Sequence, residues 1–158
     1  MHEEKERLIA DLDSVRAHLN DVVKQMSKDT QIYPDWKLKQ FLDHVAGWDD
    51  AVLAAIQSHS IGDVPAVTAP YGIDYYNAQT VTTRESLSFE HSQREYQATR
   101  ELLKQAIRLM PDDRFAEPFV SPWGEVGTVA QVVEVFVDHE RTHAQEIEKV
   151  LEDNRVRG

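Results

Sequence analysis

Residues 128–150 read TVAQVVEVFVDHERTHAQEIEKV. Taken at steps of three and four, this stretch gives Val129, Val132, Phe136, His139, His143, Ile147 and Val150. Positions so spaced share one side of an α-helix, so the pattern predicts a helix with a single inward stripe. Thr128 and Gln131 stand at capping-box spacing, where hydroxyl and amide can each satisfy one backbone N–H. The helix is therefore expected to start at Thr128, with Asn154 to Gly158 fraying at its end. Two histidines occupy stripe positions where apolar residues belong. A buried neutral imidazole leaves one donor and one acceptor to be satisfied. Because His139 and His143 are four apart, both rings leave the same face about one turn from each other. That spacing suits two ligands of one metal ion.

Three more stretches carry the helical period. From about Glu3 to Met26, the residues Leu8, Leu12, Val15, Leu19, Val22 and Met26 make one apolar stripe. From about Asp35 to Gln57, Leu38, Phe41, Val45, Trp48, Val52 and Ile56 make another, with Asp35 as the expected N-cap. The third runs from about Ser88 to Met110 through Phe89, Tyr96, Thr99, Leu103 and Ala106, and Pro111 ends it. Residues 58–83 contain Gly62, Pro65, Pro70 and Gly72, and are read as a long connection, with Tyr71 to Val81 forming a short aromatic helix across one end. Residues 111–127 read as a loop. No strand-like alternation bounded by hairpin turns is evident. Helices with one stripe each pack best as a bundle, so residues 1–158 are expected to form a single all-α domain. Its fold is a four-helix bundle with a long crossover between the second and third helices.

His44 falls three residues after Phe41 and four before Trp48, on or beside the second stripe. If the second and fourth helices face each other, His44, His139 and His143 surround one point. Three neutral histidines suit Zn²⁺, Ni²⁺, Fe²⁺ or Co²⁺ and leave coordination positions open for water or substrate. The bland alternative is a set of core histidines tied to Tyr or Asp partners. A lone histidine would favour it; three on two stripes favour the metal. The string His139-Glu140-Arg141-Thr142-His143 also matches H-E-x-x-H, the zinc-protease signature. Only 15 residues follow His143, and Glu146 and Lys149 stand where a metzincin extension needs Gly and His. The protease reading is therefore set aside. Glu140 is carried forward as a candidate proton shuttle, or as a hydrogen-bond partner of a ligand.

Composition narrows the function classes. The net charge of −11 opposes binding to nucleic acid or to an anionic membrane, since both need Lys and Arg. With no cysteine, the chain has no thiolate ligands, Fe–S cluster or Cys nucleophile. The charged start, Met1-His2-Glu3-Glu4-Lys5-Glu6-Arg7, does not read as a signal peptide, and a cytoplasmic location is expected.

At these residues the chain resembles the DinB/YfiT-like superfamily of bacterial metalloproteins. The likeness is carried by Trp36-Lys37-Leu38-Lys39-Gln40-Phe41-Leu42-Asp43-His44-Val45-Ala46-Gly47-Trp48, and by Thr128-Val129-Ala130-Gln131 followed by His139 and His143. Asp74-Tyr75-Tyr76-Asn77 is similar to a segment of the maleylpyruvate isomerase-like branch. Lys37 departs from the Ser or Thr cap common in the family. The resemblance implies a crossover bundle, a His44–His139–His143 metal site, and a homodimer. Characterised relatives include thiol transferases that use bacillithiol or mycothiol, a mycothiol-dependent isomerase, and small hydrolases. The expected cofactors are a divalent metal, Zn or Ni ahead of Fe or Co, and a low-molecular-weight thiol.

The functional expectation is an enzyme acting on a small molecule, as a thiol S-transferase, isomerase or hydrolase. Its metal would lower the pKa of a thiol or water. The alternative is a non-catalytic metal- or small-molecule-binding, stress-associated bundle. Tyr75, Tyr76 and Asn77 are candidate substrate-pocket residues, weighed against simple packing of the crossover. Trp36 and Trp48 read as packing residues and Trp123 as a loop anchor. His18 reads as partly exposed, and His2, His59 and His91 as surface residues.

Overall fold

The computed structural model describes residues 1–157. Four long helices form the bundle: α1 (His2–Val23), α2 (Leu38–Ser60), α4 (Phe89–Leu109) and α6 (Val129–Arg157). The crossover between α2 and α4 carries α3 (Ile73–Thr82). Most of each expected stripe is buried, with Leu8, Leu12 and Leu19 of α1 and Phe41, Val52 and Ile56 of α2 inaccessible to water. The fold is therefore the four-helix bundle that the periodicity implies.

The helix ends show the local chemistry. Ser88 caps α4 by accepting from the His91 N–H at 3.0 Å. Thr128 and Gln131 complete the expected capping box, Thr128 N–H donating to Gln131 Oε1 at 2.9 Å and Gln131 N–H to Thr128 Oγ1 at 3.3 Å. The C-terminal helix continues to Arg157, through most of the Asn154 to Gly158 stretch expected to fray, and Gly158 lies outside the described residues.

The structure corrects three other expectations. First, α2 starts at Leu38 rather than Asp35, because the chain around Pro34-Asp35 turns between β1 (Gln31–Tyr33) and β2 (Trp36–Lys37). Asp35 is thus not the N-cap. The Lys37 N–H is met instead by Gln40 Oε1 at 2.9 Å. Second, residues 111–127 are not all loop. They form α5 (Asp112–Ala116) and a second small hairpin, β3 (Phe119–Val120) with β4 (Val126–Gly127). Third, His59 is buried: its Nε2 bonds the carbonyls of Arg114 and Glu117 at 2.7 and 3.0 Å, and its ring stacks on Phe119. It ties the end of α2 to this irregular segment.

Two packing features position the site. α2 packs chiefly on α4, and α1 on α6, so α2 and α6 stay further apart and leave room between them for large rings. The apolar core is also in two parts. One part holds Leu12, Val52 and Phe136; the other holds Leu19, Phe41 and Ile147. Between them lies a layer of buried charge, Arg16, Asp49, Arg100 and Glu140, one residue from each bundle helix.

Candidate metal centre

His44, His139 and His143 meet in the gap between α2 and α6. Ring centres lie 4.5 Å apart for His139–His143, 5.3 Å for His44–His143 and 6.3 Å for His44–His139. Imidazoles bound at about 2.1 Å to one tetrahedral ion have ring centres roughly 5 Å apart. Two of the three separations fit. The third is about an ångström wide, and among the described residues no set of three such side chains is already closed to a single-ion geometry. His139 is the exposed member, at the wall of a cavity, and closing the set requires its ring to turn toward His44.

The other two rings are held firmly. His44 lies between Trp36 and Phe41, with ring centres 4.7 and 6.3 Å away. Tyr33, on β1, hydrogen-bonds His143 Nδ1 at 2.6 Å and Glu146 Oε1 at 3.1 Å. A phenol has one proton. With that proton given to Glu146, its oxygen accepts from the Nδ1–H of His143. This tautomer leaves the lone pair on Nε2. That Nε2, like Nδ1 of His44, is buried without a protein partner. An unsatisfied buried nitrogen costs about 1–3 kcal/mol, so a lone pair left open among neighbouring imidazoles fits a ligand position.

Burial also sets the protonation states. It pushes His44 down to about 3 and His143 down to about 4, helped by repulsion from neighbouring histidines. Partial burial lowers His139 as well. All three rings are therefore neutral at pH 7, the form that ligates a metal.

Glu140 does not fit the expected role of proton shuttle. Its oxygens accept from Arg16 at 2.9 and 3.2 Å and from Arg100 at 2.8 and 3.3 Å. Burial favours the neutral acid, but the two guanidiniums outweigh it and hold the carboxyl below its usual range. A permanently ionised, doubly paired carboxylate is a poor proton carrier. Asp49 completes the layer, bound by Arg16 at 2.8 Å and Arg100 at 3.0 Å. Glu140 thus braces the helix beside His139, its carboxylate held by the two arginines where it lines a small cleft together with His139 and His143.

The three crossover residues separate. Tyr75 is exposed and packs edge-on against Tyr71, lining neither of the openings beside the histidines. Tyr76 anchors α3, its hydroxyl donating to the Gly47 carbonyl at 2.9 Å and its ring meeting Trp48. Only Asn77 lines an opening, and its Oδ1 also accepts from Trp48 Nε1 at 2.6 Å. Two openings flank the histidines. One, of about 510 Å³, reaches His143 past Tyr33, Trp36, Asp74 and Asn77. The other, of about 250 Å³, reaches His139 between Trp48, Trp123 and Phe136. Trp123 therefore forms a cavity wall, and Trp48 forms one as well as filling the core. A small molecule can approach His143 through one opening and His139 through the other.

The comparisons agree with this architecture. A mycothiol-dependent maleylpyruvate isomerase superposes with a TM-score of 0.76 at 12% identity, over 90% of this chain and 60% of that one. A variant of that isomerase gives 0.75 at 11%, over the same shares. This chain therefore spans about 60% of the isomerase's length. YfiT from Bacillus subtilis, described as a probable metal-dependent hydrolase with an unusual four-helix bundle topology, gives 0.72 at 20% identity. There 97% of this chain and 89% of YfiT are covered. None of the curated proteins matches the sequence. The sequence model of the DinB superfamily matches residues 30–147, from the strand that carries Tyr33 to the turn after His143. The chain belongs to the DinB superfamily.

Proposed function

We propose that this protein is a metal-dependent enzyme acting on a small molecule, with His44, His139 and His143 holding one divalent ion. The observation that carries the reading is the partnerless, buried Nε2 of His143, whose opposite nitrogen is pinned by Tyr33. Neutral rings suit Zn²⁺ or Ni²⁺ first, and Fe²⁺ or Co²⁺ next. Such an ion supplies Lewis acidity at its open position, lowering the pKa of a thiol or water there. The protein's own contribution is positional. Tyr33 fixes the orientation of His143, and Trp36 and Phe41 fix that of His44. The two cavities give reactants separate access to His143 and to His139, which favours transfer between two bound partners as well as hydrolysis. The relatives named above, a mycothiol-dependent isomerase and a probable metal-dependent hydrolase, support both chemistries.

The test is metal content. Protein purified without a histidine tag is analysed by mass spectrometry, as wild type and as His44→Ala and His139→Ala. About one ion per chain in the wild type, and its loss in the variants, is expected for a three-histidine site. A wild type that takes up neither Zn²⁺ nor Ni²⁺ refutes the reading. Turnover is then sought with thiols paired to electrophiles and with ester or amide substrates. The solvent-facing Tyr71 and Tyr75 also support a homodimer, which light scattering checks.

A further inference from the structure

Two elements wall both openings to the histidines: α6, which carries two of the rings, and the crossover helix α3. Ile73 of α3 stands at the lip beside His139, while Asp74, Asn77 and Val81 line the opening beside His143. α6 is held by a row of buried residues from Val129 to Ile147. α3 is not held in this way, since of its ten residues Thr80 alone is buried. A helix with so little buried surface rests on few contacts and opens at low cost in free energy.

Those contacts are specific. Tyr76 donates its O–H to the Gly47 carbonyl at 2.9 Å, and Asn77 Oδ1 accepts the Trp48 indole N–H at 2.6 Å. Thr80 rests against Gly47, where a side chain would leave no room. The two ends of α3 differ. Just beyond the C-terminal end, Arg84 is fastened to both neighbouring long helices. Its Nε donates to Glu95 Oε1 on α4 at 2.8 Å, and its carbonyl accepts from Lys39 Nζ on α2 at 2.9 Å. At the N-terminal end, Gly72 has a φ of +102° and open space around it. A glycine enters and leaves that region without steric cost, so the chain can pivot there. Further upstream, the Thr68 and Ala69 N–H groups reach the Pro122 carbonyl at 3.1 and 3.2 Å.

We propose that α3 is a lid over the histidines, hinged at Arg84, latched to α2 by Tyr76 and Asn77, and governing both openings in one movement. The inference rests on the reading of the histidines as a reaction centre, and adds that both reactants are admitted and enclosed together. Lids of this kind exclude water and complete a site around its substrate.

Hydrogen exchange by mass spectrometry on the full chain reads the movement. Residues 73–82 should exchange through a local opening that is nearly indifferent to low urea, because it exposes little surface. The cores of α2 and α4 should exchange only by larger openings, which urea promotes. Tyr76→Phe and Asn77→Ala each remove one latch. Each should speed exchange in 73–82 about five-fold, the worth of one hydrogen bond, and leave α4 unchanged. A cross-link tests the shared movement. The chain has no cysteine, so Ile73→Cys combined with Val135→Cys can be joined by a short bismaleimide across the lip beside His139. Both positions are half-exposed. Tying this lip should slow exchange in 77–82, the stretch that walls the other opening. Should the double variant fold poorly by circular dichroism, the latch variants and the urea dependence decide. Exchange in 73–82 that follows urea as the whole bundle does, latch variants without effect, or a tied lip that leaves 77–82 unchanged overturns the proposal. Metal content is measured on the same samples. Lid behaviour in a protein that takes up no metal would fail the reaction-centre reading alone, and metal uptake without lid behaviour would fail this inference alone.

Discussion

Tyr33 is the side chain on which the centre turns. Tyr33→Phe keeps the ring but removes the oxygen that accepts from His143 Nδ1. The ring of His143 is then free to change tautomer, and metal affinity is expected to fall about 10–100-fold with little loss of helix content. Competition with a zinc-binding dye measures this, and unchanged affinity would remove Tyr33 from the site. Glu140 gives the opposite kind of prediction. Glu140→Gln leaves two buried guanidiniums short of a charge and should destabilise the fold by about 3–5 kcal/mol in urea. An activity loss without destabilisation would instead restore a catalytic role for this residue. The histidines were legible because each stands where a hydrophobe is expected. The charged layer was equally visible in principle. Arg16 lies between Leu12 and Leu19, Asp49 between Val45 and Val52, Arg100 between Tyr96 and Leu103, and Glu140 between Phe136 and Ala144, all at helical steps. Four ions at stripe positions, two of each sign, mark a buried network. Tyr33 gave no such sign: it sits before a proline in a connection, and only folding brings it to a residue 110 positions away.

At the level of the elements, the long helices follow from their stripes and caps, while the shorter pieces do not. Strands of two or three residues are too brief to alternate, and the five-residue α5 completes little more than one turn. The crossover helix docks through Gly47. A Cβ there would lie 2.4 Å from Thr80 Cγ2 and 2.8 Å from its Cβ, so Gly47→Ala must push α3 away from α2. Overpacking of this kind costs about 1–3 kcal/mol, and here it falls on one docking contact. Hydrogen exchange should accelerate in residues 73–82 while α4 remains protected. Acceleration spread over the whole bundle would show that α3 does not move as a unit. At the start of α4, Ser88→Ala removes the acceptor for the His91 N–H and should cost about 1 kcal/mol, read from the shift in the urea midpoint.

The molecule as a whole should be sensitive to mild acid in the presence of chelator. His44 and His143 hold their protons only below about 3 and about 4 in the folded state, against 6.5 for the free side chain. Below pH 6.5 the unfolded chain takes up protons that the folded one refuses, so stability is full above that pH and falls as acid is added. The slope reaches about 1.4 kcal/mol per pH unit for each ring. Glu140, whose carboxyl is depressed, adds a further loss below 4.5. Urea midpoints at pH 7, 6 and 5 in chelator should fall steadily, and a constant midpoint would mean that the rings titrate freely. Architecture at this scale was well legible, because stripes and a long connection leave few alternatives to a crossover bundle. The separation of α2 from α6 was not, since it depends on which pairs of helices pack most closely.

The charged layer has one further consequence. Glu140 is the next residue after His139, and Asp49 lies five beyond His44, while both acids grip the same two arginines. A slip of either helix by one turn is about 5.4 Å, longer than any of these ion pairs could stretch. The arginines therefore act as a vernier between α2 and α6, setting the height of one histidine-bearing helix against the other. The alignment of the three rings is decided by the folding of the bundle, so the proposed ion would have only a side chain to turn.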